Sequence, residues 1–422
     1  MSTALLTDRY ELTMLDAAVR EGLADRPAVY EAFSRRLPPG RRFGVLAGQG
    51  RLGSLLADVV PGPEELEALR DVVSPETLAW LAADRPAPEV LAYPEGETYA
   101  PGSPVLTVAT TFGQGLLLET LVLSVLNHDS AVASAAARMV LAAGHRPLLE
   151  MGSRRTHEQS AVAAARAAYV AGFSATSNLE AGRRHGVPTV GTSAHAFTLA
   201  HATEAEAFAA QVEAQGVGTT LLVDTYDTEQ GIRTAVEVAG PDLGAVRLDS
   251  GDLHEEVHRA RALLDSLGNT RTRIVVTSDL DEHAIAGLAH TQADSYGAGT
   301  SVVTGSGAPT AGFVYKLVAI ERDGAMVPVA KRSSGKRSLG GRKTAFRTYD
   351  DAGRVTGELL LQGGEVPPDG ARPLQQPLPP VEDLAAARAR CAASLAELPD
   401  SARLLEPGTA AWTARLTTEE PS

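Results

Sequence analysis

From residue 146 onward, short apolar runs alternate with polar turns and amphipathic stretches. The runs are 147–151, 188–191, 219–223, 244–248, 273–276 and 293–296. Each has the length of a short strand and stands before a helical pattern, so this part of the chain reads as a succession of βα units. After Asp252, the residues Leu253, Val257, Ala260, Leu264 and Leu267 recur at helical offsets, as expected of a helix lying with one face on a sheet. Thr156 and Thr203 open capping-box patterns, and Asp252 and Asp279 supply acidic versions. Such units build either a closed barrel or an open parallel sheet, and periodicity alone does not separate the two. An irregular α/β barrel is the expected arrangement.

The flanking regions have a different character. Residues 1–115 mix strand candidates with helical patterns at 63–73 and 75–83, the second with Ser74 as cap and Pro75 at the first helical position. Two alanine-rich apolar stretches, 116–126 and 131–143, predict buried helices. A proline-rich stretch, 367–380, predicts an extended strap before helical patterns at 381–393. The predicted division is an N-terminal α/β domain over 1–115, a barrel over 116–320, and a C-terminal segment over 321–422 that ends in helices.

Composition narrows the function classes. The chain of 422 residues carries 38 basic and 52 acidic side chains, a net charge of -14. That balance argues against extended nucleic-acid binding, which needs a basic field, and leaves room for small anionic ligands. The single cysteine forms no intrachain disulfide and excludes cysteine-held metal clusters. The N-terminus lacks a signal-like pattern, and the apolar run 115–126 is too short to cross a membrane. A cytoplasmic protein without membrane attachment is expected.

In both candidate architectures the strand ends that lead into helices collect the chemistry. The polar residues there are Arg154 and Arg155, Thr192 and His195, Asp224 and Asp227, Asp249 and Ser250, Ser278 and Asp279, then Gly297, Gly299 and Thr300. Arg247 and Asp249 alternate to one side of their strand, offering a fixed cation to an anion and a carboxylate to a hydroxyl or Mg²⁺. The turn 296–301 is rich in small residues and suits a phosphate met by backbone amides. Two adjacent arginines at 154 and 155 call for an anion or acidic partners. His195 sits in a small-residue turn where it suits a base or nucleophile, unlike His201, His254 and His258, which fall in helical patterns. Asp224 and Asp227 suit a metal, the orientation of His195, or an ordinary helix cap. The basic segment 331–343, with Gly340 and Gly341, suggests a mobile loop rather than a nucleic-acid patch.

The ordered set Thr7-Asp8-Arg9-Tyr10, residues 33–38, Glu119-Thr120 before Leu126-Asn127, residues 172–178, Gly191-Thr192-Ser193-Ala194-His195, Asp224-Thr225-Tyr226-Asp227, residues 246–253 and residues 312–318 resembles the nicotinate phosphoribosyltransferase family. The resemblance implies a type II phosphoribosyltransferase-like irregular α/β barrel, with a smaller α/β domain formed by N-terminal and C-terminal segments, working as a homodimer. It implies ATP-coupled, Mg²⁺-assisted transfer from 5-phosphoribosyl 1-diphosphate to nicotinate, giving nicotinate mononucleotide and pyrophosphate in NAD salvage. His195 is then the residue phosphorylated by ATP, and Arg247 the partner of the nicotinate carboxylate. Tyr10 and Thr192 become nicotinate-side contacts. Asp249 lies near the ribose and Mg²⁺, with Asp224 and Asp227 as further metal candidates. Arg154 or Arg155 meets the diphosphate. Gly297, Gly299 and Thr300 surround the 5′-phosphate, and Ser250, Ser278 and Thr304 are additional substrate-side candidates. Ala196 and Gln114 depart from the pattern expected of the family. The alternatives are a nicotinamide or quinolinate phosphoribosyltransferase and a non-enzymatic barrel scaffold.

Overall fold

The computed structural model describes residues 2–331 and 338–417. The chain forms two compact units, Met1–Ser134 with Ala308–Ser422, and Ala135–Gly307. The second unit is built on a parallel sheet of six strands, ordered Ala175–Thr176, Leu148–Glu150, Ser295–Ala298, Arg273–Val276, Ala245–Leu248, Thr220–Leu222. That order decides between open sheet and barrel. The first strand of the unit pairs with the last, Tyr296 opposite Leu148 and Ala298 opposite Glu150. Consecutive strands are therefore neighbours around a ring with one break, between Ala175–Thr176 and Thr220–Leu222. The unit is an irregular, incompletely closed barrel.

Strand and helix formation follow from burial. Leu221, Leu222, Val246, Ile274 and Val276 are all fully buried, as expected of strands covered by crossover helices. On the helix Leu253–Ser266, Val257, Ala260 and Leu264 form the buried face, while Asp252 caps the start by accepting from the amides of His254 and Glu255.

Several local expectations shift. Residues 188–191 form no strand; Thr189 makes only an isolated bridge to Thr176, and the neighbouring place in the sheet goes to Ala175–Thr176. Pro188 lacks the amide a ladder needs. The last strand lies at Ser295–Ala298, two residues later than its apolar run. His157 rather than Thr156 caps the helix Glu158–Val170. Asp281 rather than Asp279 caps the next short helix, accepting from His283 and Ala284. The polar residues between the two alanine-rich stretches do not interrupt the helix Glu119–Ala143, because Asp129 pairs with Arg51 at 2.7 Å and Ser130 donates to the Ala47 carbonyl.

The first unit joins the two ends of the chain by strand pairing. The strand Pro27–Ser34 lies antiparallel between Phe313–Arg322 and Leu106–Thr111, and a second sheet pairs Val355–Leu361 with Thr344–Tyr349 and Ala414–Leu416. Because Phe313–Arg322 belongs to this sheet, the boundaries fall at 134/135 and 307/308 rather than 115/116 and 320/321, and the unit made by the termini is the larger. Of the basic segment 331–343, residues 332–337 lie outside the described residues. Lys343 is buried against Glu31 at 2.8 Å and donates to the Leu339 and Gly341 carbonyls, which ties down the segment's C-terminal part.

The second sheet is stapled to the N-terminal part by Arg347, whose side chain has no exposed surface. Its guanidinium pairs with Glu97 and, at 2.8 Å, with Glu358; Trp412 and Tyr93 donate to the same Glu358 carboxylate. Removing the cation leaves two buried carboxylates without their main partner. Arg347→Ala is therefore expected to lower unfolding free energy by about 3–5 kcal/mol, read from chemical denaturation; a change below about 1 kcal/mol would contradict this role.

Candidate active site

The chemistry of the barrel unit collects where its parallel strands end. In register, Arg247 stands opposite Leu222 on one side and Val275 on the other, while Glu150 stands opposite Ala298 and Thr176. The chain therefore leaves the sheet at Asp224, Asp249, Thr277, Gly299, Met151 and Ser177 along one rim. A cavity of about 580 Å³ opens there, lined by Arg154, Arg155, Thr192, Arg247, Asp249, Ser278, Gly297, Gly299 and Thr300, together with Met151, Ser153, Ser177, Val190, Gly191, Ser193, Ala194, Thr277 and Asp279.

Arg247 is the fixed point of the cavity. Its side chain is 14% exposed. Nε donates to Thr277 Oγ1 at 2.8 Å, Nη1 to Thr192 Oγ1 at 3.0 Å and to the Ser193 carbonyl at 3.4 Å, and Nη2 to Asp249 Oδ1 at 3.1 Å. Thr277 also donates to Asp249. Two strand ends and the 192–193 loop thus share one planar cation. Asp249 lies on the same side of its strand as Arg247, as alternation requires.

The same lining carries two further cations. Arg154 and Arg155 line the cavity with no acidic partner among the described residues. They project from a turn that only glycine permits at 152, where a Cβ would lie 2.2 Å from Val303 Cγ1 and 2.9 Å from the Gly299 carbonyl. At Gly297 a Cβ would meet Thr277 Cγ2 at 2.7 Å and Met151 Sδ at 2.9 Å. Ser278 is held at φ 131, a conformation that favours glycine and costs a non-glycine residue about 1–3 kcal/mol.

Other sequence-predicted residues fall outside this lining. The lining stops at Ala194; the His195 ring, 41% exposed, turns to Asp224, with Nε2 3.2 Å from Oδ1. Asp224 is 2% exposed, and its other oxygen accepts from the Asp249 amide at 2.8 Å and the Ser250 hydroxyl at 2.7 Å. Asp227 caps the helix Thr228–Ala239 through the Gln230 amide. Thr304 bonds back to the Thr300 carbonyl. Tyr10 belongs to the other unit, on the helix Arg9–Arg20; partial burial and the carboxylates of Glu119, Glu11 and Asp8 push its hydroxyl up to about 12.

Asp224, Asp227 and Asp249 do not make a metal cage. Among the described residues no group of three or more histidine, cysteine or acidic side chains is arranged to hold an ion. Asp224 accepts on both oxygens from His195, Ser250 and the Asp249 amide, whereas Asp249 accepts from Arg247 and Thr277 on Oδ1 alone.

Two residues of structural weight were missed in the sequence. Thr277 stands one position beyond an apolar run, the place that topology marks as functional. Glu150 sits inside an apolar run, and nothing in its local pattern separates it from a strand residue facing solvent.

Comparison with known proteins identifies the family. Models of the nicotinate phosphoribosyltransferase N-terminal domain and of the nicotinate phosphoribosyltransferase family match residues 5–127 and 147–355. The chain is 56% identical over 420 residues to nicotinate phosphoribosyltransferase pncB1 of Mycobacterium tuberculosis, covering 96% of this chain and 93% of that one. It is 37% identical over 364 residues to the nicotinate phosphoribosyltransferase of Bacillus subtilis, covering 83% and 74%. The crystal structure of human nicotinic acid phosphoribosyltransferase superposes with a TM-score of 0.79 at 28% identity, covering 98% of both chains. On sequence and on fold, the chain belongs to the nicotinate phosphoribosyltransferase family.

Proposed function

We propose that this protein transfers the 5-phosphoribosyl group of 5-phosphoribosyl 1-diphosphate to nicotinate, giving nicotinate mononucleotide and pyrophosphate, with ATP hydrolysis coupled to the transfer. The observation that carries this reading is the immobilised Arg247 in a cavity that Arg154 and Arg155 also line, neither with an acidic partner among the described residues. With Nε and Nη1 engaged by Thr277, Thr192 and Ser193, the guanidinium offers a carboxylate its second Nη2–H and its fixed charge. Arg247 therefore takes the nicotinate carboxylate, and Thr192 the neighbouring edge of the ring. Arg154 and Arg155 take the diphosphate. The close-approach surface of Gly297, Gly299 and Thr300 takes the 5′-phosphate, with Ser278 beside it. Asp249 addresses a ribose hydroxyl.

In the transfer, the pyridine nitrogen lone pair forms the bond to C1 of the ribose while the C1–O bond to the diphosphate breaks and its electrons leave with pyrophosphate. The protein contributes alignment and stabilisation of the departing negative charge. Magnesium belongs in this reading to the diphosphate substrate, since Mg²⁺ is usually held by substrate phosphates and water with few protein ligands.

His195 takes the ATP-coupled step in this reading. In the tautomer whose Nε2–H donates to Asp224, Nδ1 keeps its lone pair and attacks the γ-phosphorus, ADP leaves, and water later releases phosphate. Asp224 stabilises the positive ring that forms. Ser250 and the Asp249 amide hold Asp224 in place. Asp227 and Thr304 support the site through local capping rather than by touching substrate.

Exposed apolar side chains favour a homodimer. Leu179, Phe197, Leu199 and Tyr226 are exposed on the barrel unit, as are Leu5, Leu6, Tyr10 and Met14 on the other. Faces of this kind suit a second copy of the chain, which keeps Tyr10 as a candidate nicotinate contact. A cytoplasmic site of action fits a chain whose single cysteine, Cys391, is buried.

The primary test supplies nicotinate, nicotinamide or quinolinate with phosphoribosyl diphosphate and Mg²⁺, with and without ATP. Mononucleotide from nicotinate, stimulated by ATP, is expected, together with ATP-dependent phosphate on His195 Nδ1 by peptide mass spectrometry and NMR. His195→Ala is expected to retain uncoupled transfer and lose the stimulation; phosphate on another residue would refute the assignment. Arg247→Ala is expected to raise the nicotinate KM by about 10- to 100-fold, the loss of one charge-assisted contact. An unchanged nicotinate KM would remove Arg247 from the acceptor site.

A further inference from the structure

A buried carboxylate stands beside the turn that carries Arg154 and Arg155. Glu150 ends the strand Leu148–Glu150 and is 1% exposed. Nothing cationic pairs with it among the described residues. Burial pushes its carboxyl above the ordinary range, while the Thr176 hydroxyl and the Gly152 amide draw it back. Such a group is costly to keep in a core, and a leucine or threonine would fill the strand position without that cost.

Its hydrogen bonds show what it holds. Oε1 accepts from the Gly152 amide at 2.5 Å, and Oε2 accepts from the Thr176 hydroxyl. Thr176 Oγ1 in turn accepts from the Asn178 amide at 3.0 Å, and Asn178 Nδ2 donates to Ser153 Oγ at 3.0 Å. The Glu150 carbonyl accepts from the Ser177 amide. The loop closes on itself through the Arg155 amide, which donates to the Gly152 carbonyl at 2.8 Å. Apart from the Glu150–Thr176 bond, which ties the two strand ends together, every link in this circuit touches the turn 151–155 or the loop 177–178, and Ser153, Arg154, Arg155 and Ser177 line the cavity.

We propose that Glu150 is a positioning residue for the phosphoribosyl donor: its buried carboxylate clamps the turn carrying Arg154 and Arg155 to the neighbouring strand end, fixing the two cations where the diphosphate must sit. Glu150 touches no substrate. The inference rests on the transferase reading above. It predicts an effect confined to one substrate, because the Arg247 contacts run through Thr192, Ser193, Asp249 and Thr277 and share no partner with Glu150.

Glutamine preserves the circuit. Its carbonyl oxygen accepts from Gly152, and its amide donates to Thr176, whose hydroxyl oxygen has a second lone pair. Alanine breaks both links. The test compares wild type, Glu150→Gln, Glu150→Ala and Thr176→Val for steady-state kinetics in both substrates, for pyrophosphate affinity by calorimetry, and for thermal unfolding.

Expected are a donor KM raised about 10-fold or more in Glu150→Ala, with pyrophosphate affinity falling in parallel and the nicotinate KM within about 3-fold of wild type, since small displacements of aligned groups are costly. Glu150→Gln is expected to return both values to near wild type. Should Glu150→Ala fail to fold, Thr176→Val, which keeps the Gly152 link and cuts the strand link, is expected to raise the donor KM in the same sense. A folded Glu150→Ala with unchanged donor KM, equal losses in both substrates, or no rescue by glutamine overturns the proposal. Absence of transfer by the wild-type protein refutes the transferase reading instead, and the two failures are distinct.

Discussion

A guanidinium keeps its charge at neutral pH and its five N–H donors cannot be withdrawn, so one placed deep in a cavity dictates what surrounds it. Arg247 meets that requirement with a threonine from the next strand end, a threonine and a carbonyl from the 192–193 loop, and the carboxylate two residues on. None of these acceptors is adjacent to Arg247 in sequence. Asp249 reaches it by alternation along one strand, and Thr277 because the next strand runs parallel and in register, with Arg247 level with Val275 and Leu222. The site and the barrel are one constraint seen at two scales: a slip of one residue in either pairing would turn Arg247 to the helix-covered face.

That constraint also explains where the barrel tolerates no side chains. Backbone segments that end neighbouring strands are drawn close together at the rim, and Gly152 and Gly297 sit where a Cβ would overlap Val303, Thr277 or Met151. These glycines bring the turn 151–155 against the turn after Ser295–Ala298, where Arg154 and Arg155 line the cavity. The strained backbone at Ser278 belongs to the same rim. Strain persists there because Leu280 donates to the Ser278 carbonyl and Thr277 to that of Leu248, fixing the chain on both sides.

The sequence made much of this legible, for a physical reason. Buried parallel strands are near-continuous apolar runs, and topology assigns chemistry to the residues after them. Reading those positions placed Arg154, Arg155, Thr192, Asp249, Ser278, Gly297, Gly299 and Thr300 in one list, and all of them line one cavity. What escaped depends on tertiary partners. Asp281 displaced Asp279 as a cap, which a pattern of acids cannot reveal, since both satisfy the same local rule. The strand Ala175–Thr176 is too short to announce itself by alternation and exists through its pairing with Leu149 and Glu150. The unit boundaries moved because Phe313–Arg322 pairs with a strand near the N-terminus, a contact that composition does not record. His195 came out on the right turn with its ring turned to Asp224 rather than lining the cavity.

That orientation of His195 gives the proposed coupling a physical form. Asp224 is nearly buried and has both oxygens in use, one toward the imidazole and the other toward the Asp249 amide and the Ser250 hydroxyl. A carboxylate so engaged acts as an acceptor only, and its position answers to both sets of donors. When Nδ1 of His195 carries a phosphoryl group, the ring becomes cationic and its Nε2–H a stronger donor, which tightens the bond to Oδ1. The same carboxylate holds the backbone of Asp249, and Asp249 holds Arg247. In the proposed coupling, the chemical state of a ring outside the cavity lining would reach the guanidinium inside it through two carboxylates and one amide, with no movement of the sheet required. Coupling by so short a chain is local electrostatics acting on a pre-built hydrogen-bond network.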